Sequence, residues 1–133
     1  MGQPAAKQGD QVVGTDIHIV LVPAGPSLVP TPLPHPFTGK LTSGLASSVQ
    51  VEGKPAAVVG STAQHATGHL PTPPGTSFQK PPSNQGTVQM GSATVLVEGK
   101  GMARAGDTVL TCNDPADAPV SSIVAAGTVL VGG

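Results

Sequence analysis

Val49-Gln50-Val51-Glu52-Gly53-Lys54-Pro55-Ala56-Ala57-Val58-Val59-Gly60-Ser61 and Val95-Leu96-Val97-Glu98-Gly99-Lys100-Gly101-Met102-Ala103-Arg104-Ala105-Gly106-Asp107 lie 46 residues apart and agree at seven of thirteen positions. Each stretch opens with alternating Val-x-Val, which places two apolar side chains on one face of a strand. A Glu-Gly-Lys turn follows, then a small-residue strand that ends in Gly-Ser or Gly-Asp. Alternating apolar residues, a Gly-containing turn and a second short strand predict a β-hairpin. The duplication predicts that one hairpin device is used more than once.

The N-terminus carries the second half of a further copy. Pro4-Ala5-Ala6-Lys7-Gln8-Gly9-Asp10 aligns with Pro55 to Ser61 and with Gly101 to Asp107. Three copies, near residues 4–18, 49–69 and 95–112, are therefore expected within a single domain spanning 1–133. Gly127-Thr128-Val129-Leu130-Val131-Gly132 closes the array as one more strand.

Composition supports an all-β chain. Gly (18) and Pro (15) together make up about a quarter of the 133 residues, a level that accompanies low complexity unless a core is present. Val alone occupies 17 positions, and seven acids against six bases leave a net charge of −1. Neither low hydrophobicity nor high charge opens a route to disorder. No window shows an apolar period of 3.6 free of Gly or Pro, so almost no helix is expected, short turns around Thr42 to Ser48 aside. Pro23 to Pro36 and Pro71 to Gln85 read as long Pro/Gly-rich loops. With no Trp or Tyr and only Phe37 and Phe78, the core must be thin layers of β-branched residues, helped by a metal or a partner.

The same numbers exclude several classes of function. No Lys/Arg cluster is present, which argues against nucleic acid and anionic membrane as partners. Met1 to Asp10 is polar, and the longest apolar stretch, Ile17 to Val22, is interrupted by His18, so folding in the cytoplasm without a signal peptide is expected. Cys112 is the single cysteine. It serves packing, reactivity or metal ligation.

On the repeat frame, counted from Asp10, Ser61 and Asp107, His18 and His69 both fall at +8, His65 at +4 and Cys112 at +5. Equivalent positions in a quasi-symmetric object converge, which gathers His18, His69 and Cys112 at one end. His35, held between Pro34 and Pro36, is the natural fourth member. Three imidazoles and a thiolate suit a tetrahedral zinc with no open position, a structural site. The plainer readings are a surface turn for His35, a small buried hydrophobe for Cys112 and a bystander for His65. Glu52, Glu98, Lys54 and Lys100 read as exposed hairpin ends, and Asp10 and Asp107 as turn caps. No nucleophile-base pair or carboxylate pair stands out. A small zinc-dependent cell-envelope hydrolase would need one of the four ligands to be free, with Asp16 or Asp114 as its acid.

Pro4-Ala5-Ala6-Lys7-Gln8-Gly9-Asp10 and Ala103-Arg104-Ala105-Gly106-Asp107, with Thr31-Pro32-Leu33-Pro34-His35-Pro36-Phe37 and the run from Ala105 to Pro115, resemble the proline-alanine-alanine-arginine (PAAR) spike-tip proteins of contractile injection systems. The likeness extends over nearly the whole chain and is nearest to the tips of extracellular phage-tail-like particles, with type VI secretion relatives. It implies a small cone-shaped all-β domain of three quasi-equivalent hairpins. Such a cone caps and sharpens a trimeric β-helical spike (VgrG-like) for membrane puncture. It also implies a structural zinc held by three His and one Cys, which carries over to His18, His35, His69 and Cys112, and possible effector cargo as a second partner. The particle would carry the chain to the extracellular space or the target cell. The departures are Lys7 for the motif's Arg, Gly101-Met102 for its Pro-Ala, and four His instead of three. A capping module of a β-solenoid adhesin is the remaining non-enzymatic reading.

Overall fold

The computed structural model describes residues 2–132, and among them there is no helix. In chain order the strands are β1 (Gln3–Pro4), β2 (Gln11–Ala24), β3 (Ser27–Ser43), β4 (Ala46–Val51), β5 (Lys54–Ala56), β6 (Thr62–His65) and β7 (Ser77–Phe78). They continue as β8 (Gln85–Val88), β9 (Leu96–Val97), β10 (Lys100–Gly101), β11 (Thr108–Thr111), β12 (Ala118–Val124) and β13 (Leu130–Val131).

The repeated sequence folds into the hairpins β4–β5 and β9–β10. Their turns use the Glu-Gly pair: φ is 51° at Glu52 and 83° at Gly53, and 53° at Glu98 and 78° at Gly99. Left-handed backbone at both central residues is the two-residue turn whose twist matches paired strands. Gly relieves the strain at the second position, and a straight-chain Glu tolerates the first. The N-terminal half-copy completes its hairpin with the C-terminal strand: β1 pairs antiparallel with β13, Gln3 opposite Val131 and Pro4 opposite Leu130.

Three backbone hydrogen bonds show how the copies meet. Ala6 N–H donates to Ala103 C=O (2.9 Å), Ala103 N–H to Ala57 C=O (2.9 Å), and Ala57 N–H to Ala6 C=O (3.0 Å). This is a closed ring around a pseudo-threefold axis, and all three alanines are fully buried. No larger side chain fits where three backbones approach so closely. On one side of the ring lies the small core of Val51, Val97 and Val131 with Ala5, Ala56 and Met102. On the other lie Leu41, Val88 and Ile123, then Val12, Ala63 and Val109. Each trio draws one residue from each copy, so a chain poor in aromatics gains its apolar burial in layers, at about 1.5–3 kcal/mol per buried Val or Leu.

Beyond the ring each copy sends out a strand and receives one back: β2 with β3, β6 with β8, β11 with β12. The cross-pairings β3–β6, β8–β11 and β12–β2 join these six into a closed antiparallel barrel, with β7 added against β2. Closure leaves no edge around the barrel wall. The wall is tight: a Cβ on Gly39 would stand 2.6 Å from the Gln64 carbonyl oxygen, so only Gly serves where β3 crosses β6.

One expectation is corrected. Pro23 to Pro36 is not a loop but the distal half of an unbroken ladder, from Gln11 opposite Lys40 to Ala24 opposite Ser27. Pro30, Pro32, Pro34 and Pro36 alternate along β3, and alternate residues of an antiparallel strand direct their N–H groups away from the partner. Over these residues no strand among the described residues pairs with β3 on its other side, where the Thr72 hydroxyl and His65 Nε2 donate to the carbonyls of Pro34 and Pro36. The missing donors therefore all fall on the free edge, the one place a strand accepts Pro. Pro71 to Gln85 is irregular except for β7.

Candidate metal centre

β2 and β3 carry the barrel interior past the apolar layers. Val12, Asp16, His18 and Val20 on β2, and His35, Phe37 and Leu41 on β3, all point inward and are buried. Period-two alternation alone selects these faces. Asp16 stands directly opposite His35 in the ladder.

The loop after β11 locks against the outer edge of β2. Ile17 N–H donates to Asn113 Oδ1 (2.7 Å), Ile19 N–H to Asp114 Oδ2 (2.8 Å), and Asp114 N–H to Ile17 C=O (2.8 Å). These bonds bring Cys112 Sγ to 3.6 Å from Asp16 Oδ2. His69 is held by its own N–H on Asn84 Oδ1 (2.8 Å), and its Nε2 lies 2.8 Å from Asp16 Oδ2. Ligand atoms of Asp16, His18, His69 and Cys112 all lie within 4.8 Å of one another, and all four residues are buried. This cluster could hold a metal ion.

Three of the four expected residues thus come together with Asp16. His35 stands beside them, its ring centroid 5.4 Å from that of His18 and 5.7 Å from that of His69. Its Nδ1 donates to Leu33 C=O (2.8 Å) and its Nε2 accepts Thr72 N–H (3.1 Å). Phe78 covers the group, 5.8 Å from His18 and 5.3 Å from His35 between centroids. His65 sits outside: its Nε2 donates to Pro36 C=O (3.1 Å) and its Nδ1 accepts Thr67 N–H (3.4 Å). Asp16 was weighed from sequence only as a catalytic acid. The signal that places it in the cluster is its position two residues before His18 on the same strand.

The polar atoms decide whether a metal suits this place. Both ring nitrogens of His18 are buried and have no hydrogen-bond partner, an arrangement that costs free energy unless something satisfies it. A metal would. Asp16, by contrast, is saturated: Thr111 Oγ1 and Asn113 Nδ2 (3.2 Å) donate to Oδ1, and His69 to Oδ2. Ser121 Oγ in turn donates to Thr111 Oγ1 (2.9 Å).

Burial, and next the neighbouring His69, lowers the His18 pKa below 6.5; burial also lowers that of His35, against the pull of the Leu33 carbonyl. Both rings are therefore neutral lone-pair donors near pH 7. Burial and then the Asp16 charge push the Cys112 thiol up to about 11, so metal binding there must displace a proton. A cleft of about 120 Å³ reaches His18 and Cys112 from solvent between Lys80, Asp114 and Asp117.

A family model described as the PAAR motif matches residues 79–133. The chain carries a PAAR motif. The match spans the third copy and the strands that leave it, and the other two copies repeat its hydrogen bonds. Gly9 N–H donates to Leu41 C=O, Gly60 N–H to Val88 C=O and Gly106 N–H to Ile123 C=O, each at 2.8–2.9 Å. The PAAR Arg itself, Arg104, donates from Nη2 to Asp107 Oδ1 (2.9 Å), while its backbone N–H caps on Asp107 Oδ2 (2.8 Å). Lys7 repeats both contacts with Asp10, which explains why Lys replaces Arg there without loss of the turn. Ser61 does the same with its hydroxyl, accepting Val58 N–H at 3.0 Å. No curated protein and no solved structure matches the chain.

Proposed function

We propose that this chain is the tip of a contractile injection system, resting on a trimeric spike of the VgrG-like kind and serving puncture rather than catalysis. The observation that carries this reading is the ring of Ala6, Ala57 and Ala103 hydrogen bonds. A trimeric β-helix ends in three equivalent open edges. A monomer whose copies surround a pseudo-threefold axis offers each edge a similar partner. The hairpins on the base side of the ring also expose apolar side chains, Val49, Leu96, Val129 and Leu130, a patch of the kind that marks an interface. A separate effector fits the same assembly as cargo of the spike.

The metal in this reading is a structural zinc held by His18, His69, Cys112 and His35. The Nδ1–H bond to Leu33 leaves the lone pair of His35 on Nε2, the usual way a second contact fixes a ligating imidazole, and zinc there would replace the Thr72 N–H that this lone pair now accepts. Asp16 orients His69. Zinc would supply cross-links where the barrel interior is too narrow for an apolar layer. The chain reaches the target cell as part of the particle.

Mixing the chain with a trimeric spike and weighing the complex by native mass spectrometry tests the assignment. One copy per three spike chains is expected, with Leu96→Asp and Leu130→Asp abolishing it. Absence of any complex would overturn the cap reading. The cleft beside His18 and Cys112 is the observation that favours the hydrolase alternative, and peptidoglycan cleavage lost on chelation would select it.

A further inference from the structure

We propose that the distal end of the β2–β3 hairpin is a lipid-contacting finger, whose partner is the headgroup–acyl boundary of a bilayer. The inference deepens the puncture reading and rests on it only for the direction in which the tip travels.

The last lateral support of the hairpin is at Val20 and Leu21, which pair with Phe78 and Ser77 of β7. Three more residue pairs and the Gly25-Pro26 turn extend beyond, about 10 Å at roughly 3.4 Å per residue. Residues 23–29 are all exposed, including Leu28 at 55% and Val29 at 45%. From Ile17 to Gly39 the sequence has no Asp, Glu, Lys or Arg. An exposed apolar projection without charge is costly in water and suited to an apolar medium.

Backbone chemistry identifies that medium. Ile17 and Ile19 donate sideways to Asn113 and Asp114, so odd residues of β2 and the even residues opposite them on β3 face away from the ladder. In the finger and along the β3 side of its stem these outward positions are Pro23, Leu28, Pro30, Pro32, Pro34 and Pro36, while on the β2 side of the stem Ile17 and Ile19 already donate to Asn113 and Asp114. Of those six, Leu28 alone retains an N–H. A protein partner adding a strand would need those donors. Lipid hydrocarbon offers no acceptor and penalises each donor left open. Removing the donors at five of these six positions lowers the cost of entering lipid and simultaneously blocks strand addition along β3. The insertion depth, about 10 Å, is that of interfacial apolar elements.

The absence of Trp and Tyr permits a clean test in the full chain. Leu28→Trp and, as control, Leu96→Trp each create a single emitter at similarly exposed sites, 55% and 61%. With phosphatidylcholine vesicles brominated on the acyl chains, Leu28→Trp emission is expected to shift to the blue and fall about twofold or more, while Leu96→Trp is unchanged. Adding Val29→Asp to Leu28→Trp weakens partition about tenfold, with metal content and spike binding intact. No quenching at Leu28→Trp, equal quenching at both sites, or binding that requires anionic lipid and vanishes in salt overturns the inference. A lipid-free dimer lost with Val29→Asp assigns the finger to a second copy instead. If vesicle binding fails while the spike complex forms, the finger falls and the cap reading stands; the reverse outcome separates them equally well.

Discussion

The base and the barrel interior of this protein obey different rules. At the base, equivalent positions carry equivalent residues: Ala6, Ala57 and Ala103 close the ring, Val51, Val97 and Val131 fill one layer, and Leu41, Val88 and Ile123 another. Toward the far end the same frame diverges. His18 and His69 still correspond, but Cys112 enters at a different offset and Asp16, Thr111 and Asn113 share one carboxylate network. A surface that must match three similar partners benefits from repetition. A single ion needs donors of particular chemistry, so each copy contributes something different. Symmetry is retained where the neighbour is threefold and abandoned where one atom is to be held.

The largest break in this comparison is expected at the layers. Leu41→Ala removes a fully buried side chain from one copy and should cost about 2–5 kcal/mol, measured by denaturant unfolding with or without metal. The loss should be equally large after chelation, because the layers do not depend on the cluster.

Cys112→Ala comes next and should act only through the metal. Wild type in excess zinc is expected to gain about 3–4 kcal/mol over its chelated form if zinc exceeds its dissociation constant by a hundred- to a thousandfold; the variant should gain almost nothing. Hydrogen exchange should show the hairpins β4–β5 and β9–β10 still protected in the variant. Identical melting of variant and wild type, with and without chelator, would remove the zinc.

Asp16→Asn and His35→Ala divide the cluster. With Asp16 as the orienting group, Asp16→Asn keeps one bound metal at reduced affinity, about 10–100-fold weaker. His35→Ala loses the ion. Elemental analysis of both variants reads the answer, and the opposite pattern would make Asp16 the fourth donor.

Acidification is the mildest probe. His18 and His35 hold fewer protons folded than unfolded because burial lowers their pKa below 6.5. The unfolded state takes up more protons once pH drops below about 6.5, so stability of the metal-free protein falls from there downward until the folded pKa values are reached. Asp107→Ala, which removes the acceptor of the Arg104 N–H, should by comparison cost about 1 kcal/mol in denaturant unfolding.

Much of this architecture can be read from the sequence because its devices are local. The Glu-Gly-Lys turn sits between two alternating strands, and the offset of 46 aligns residues that meet in space. The +8 positions of His18 and His69 fall 4.9 Å apart between ring centroids. Two features escape such reading for physical reasons. The prolines from 30 to 36 look like loop residues when counted and like a strand edge only when their alternation is set against a ladder with no paired strand, among the described residues, on its far side. The place of Asp16 depends on Thr111 and Asn113, ninety-five and ninety-seven residues away, a distance that no local pattern spans.

The pairing of β1 with β13 has a consequence for how such a molecule can change over generations. A solenoid open at both ends grows or shrinks by duplicating a unit, since each new repeat simply stacks on the last. Here the third hairpin is assembled from the two extremities, Gln3 against Val131 and Pro4 against Leu130, and its Ala6 closes the cycle of amide bonds. A fourth unit would have no gap to enter and a lost one would leave a hole, so the number of repeats is locked at three while the strands that rise from them remain free to vary in length and chemistry.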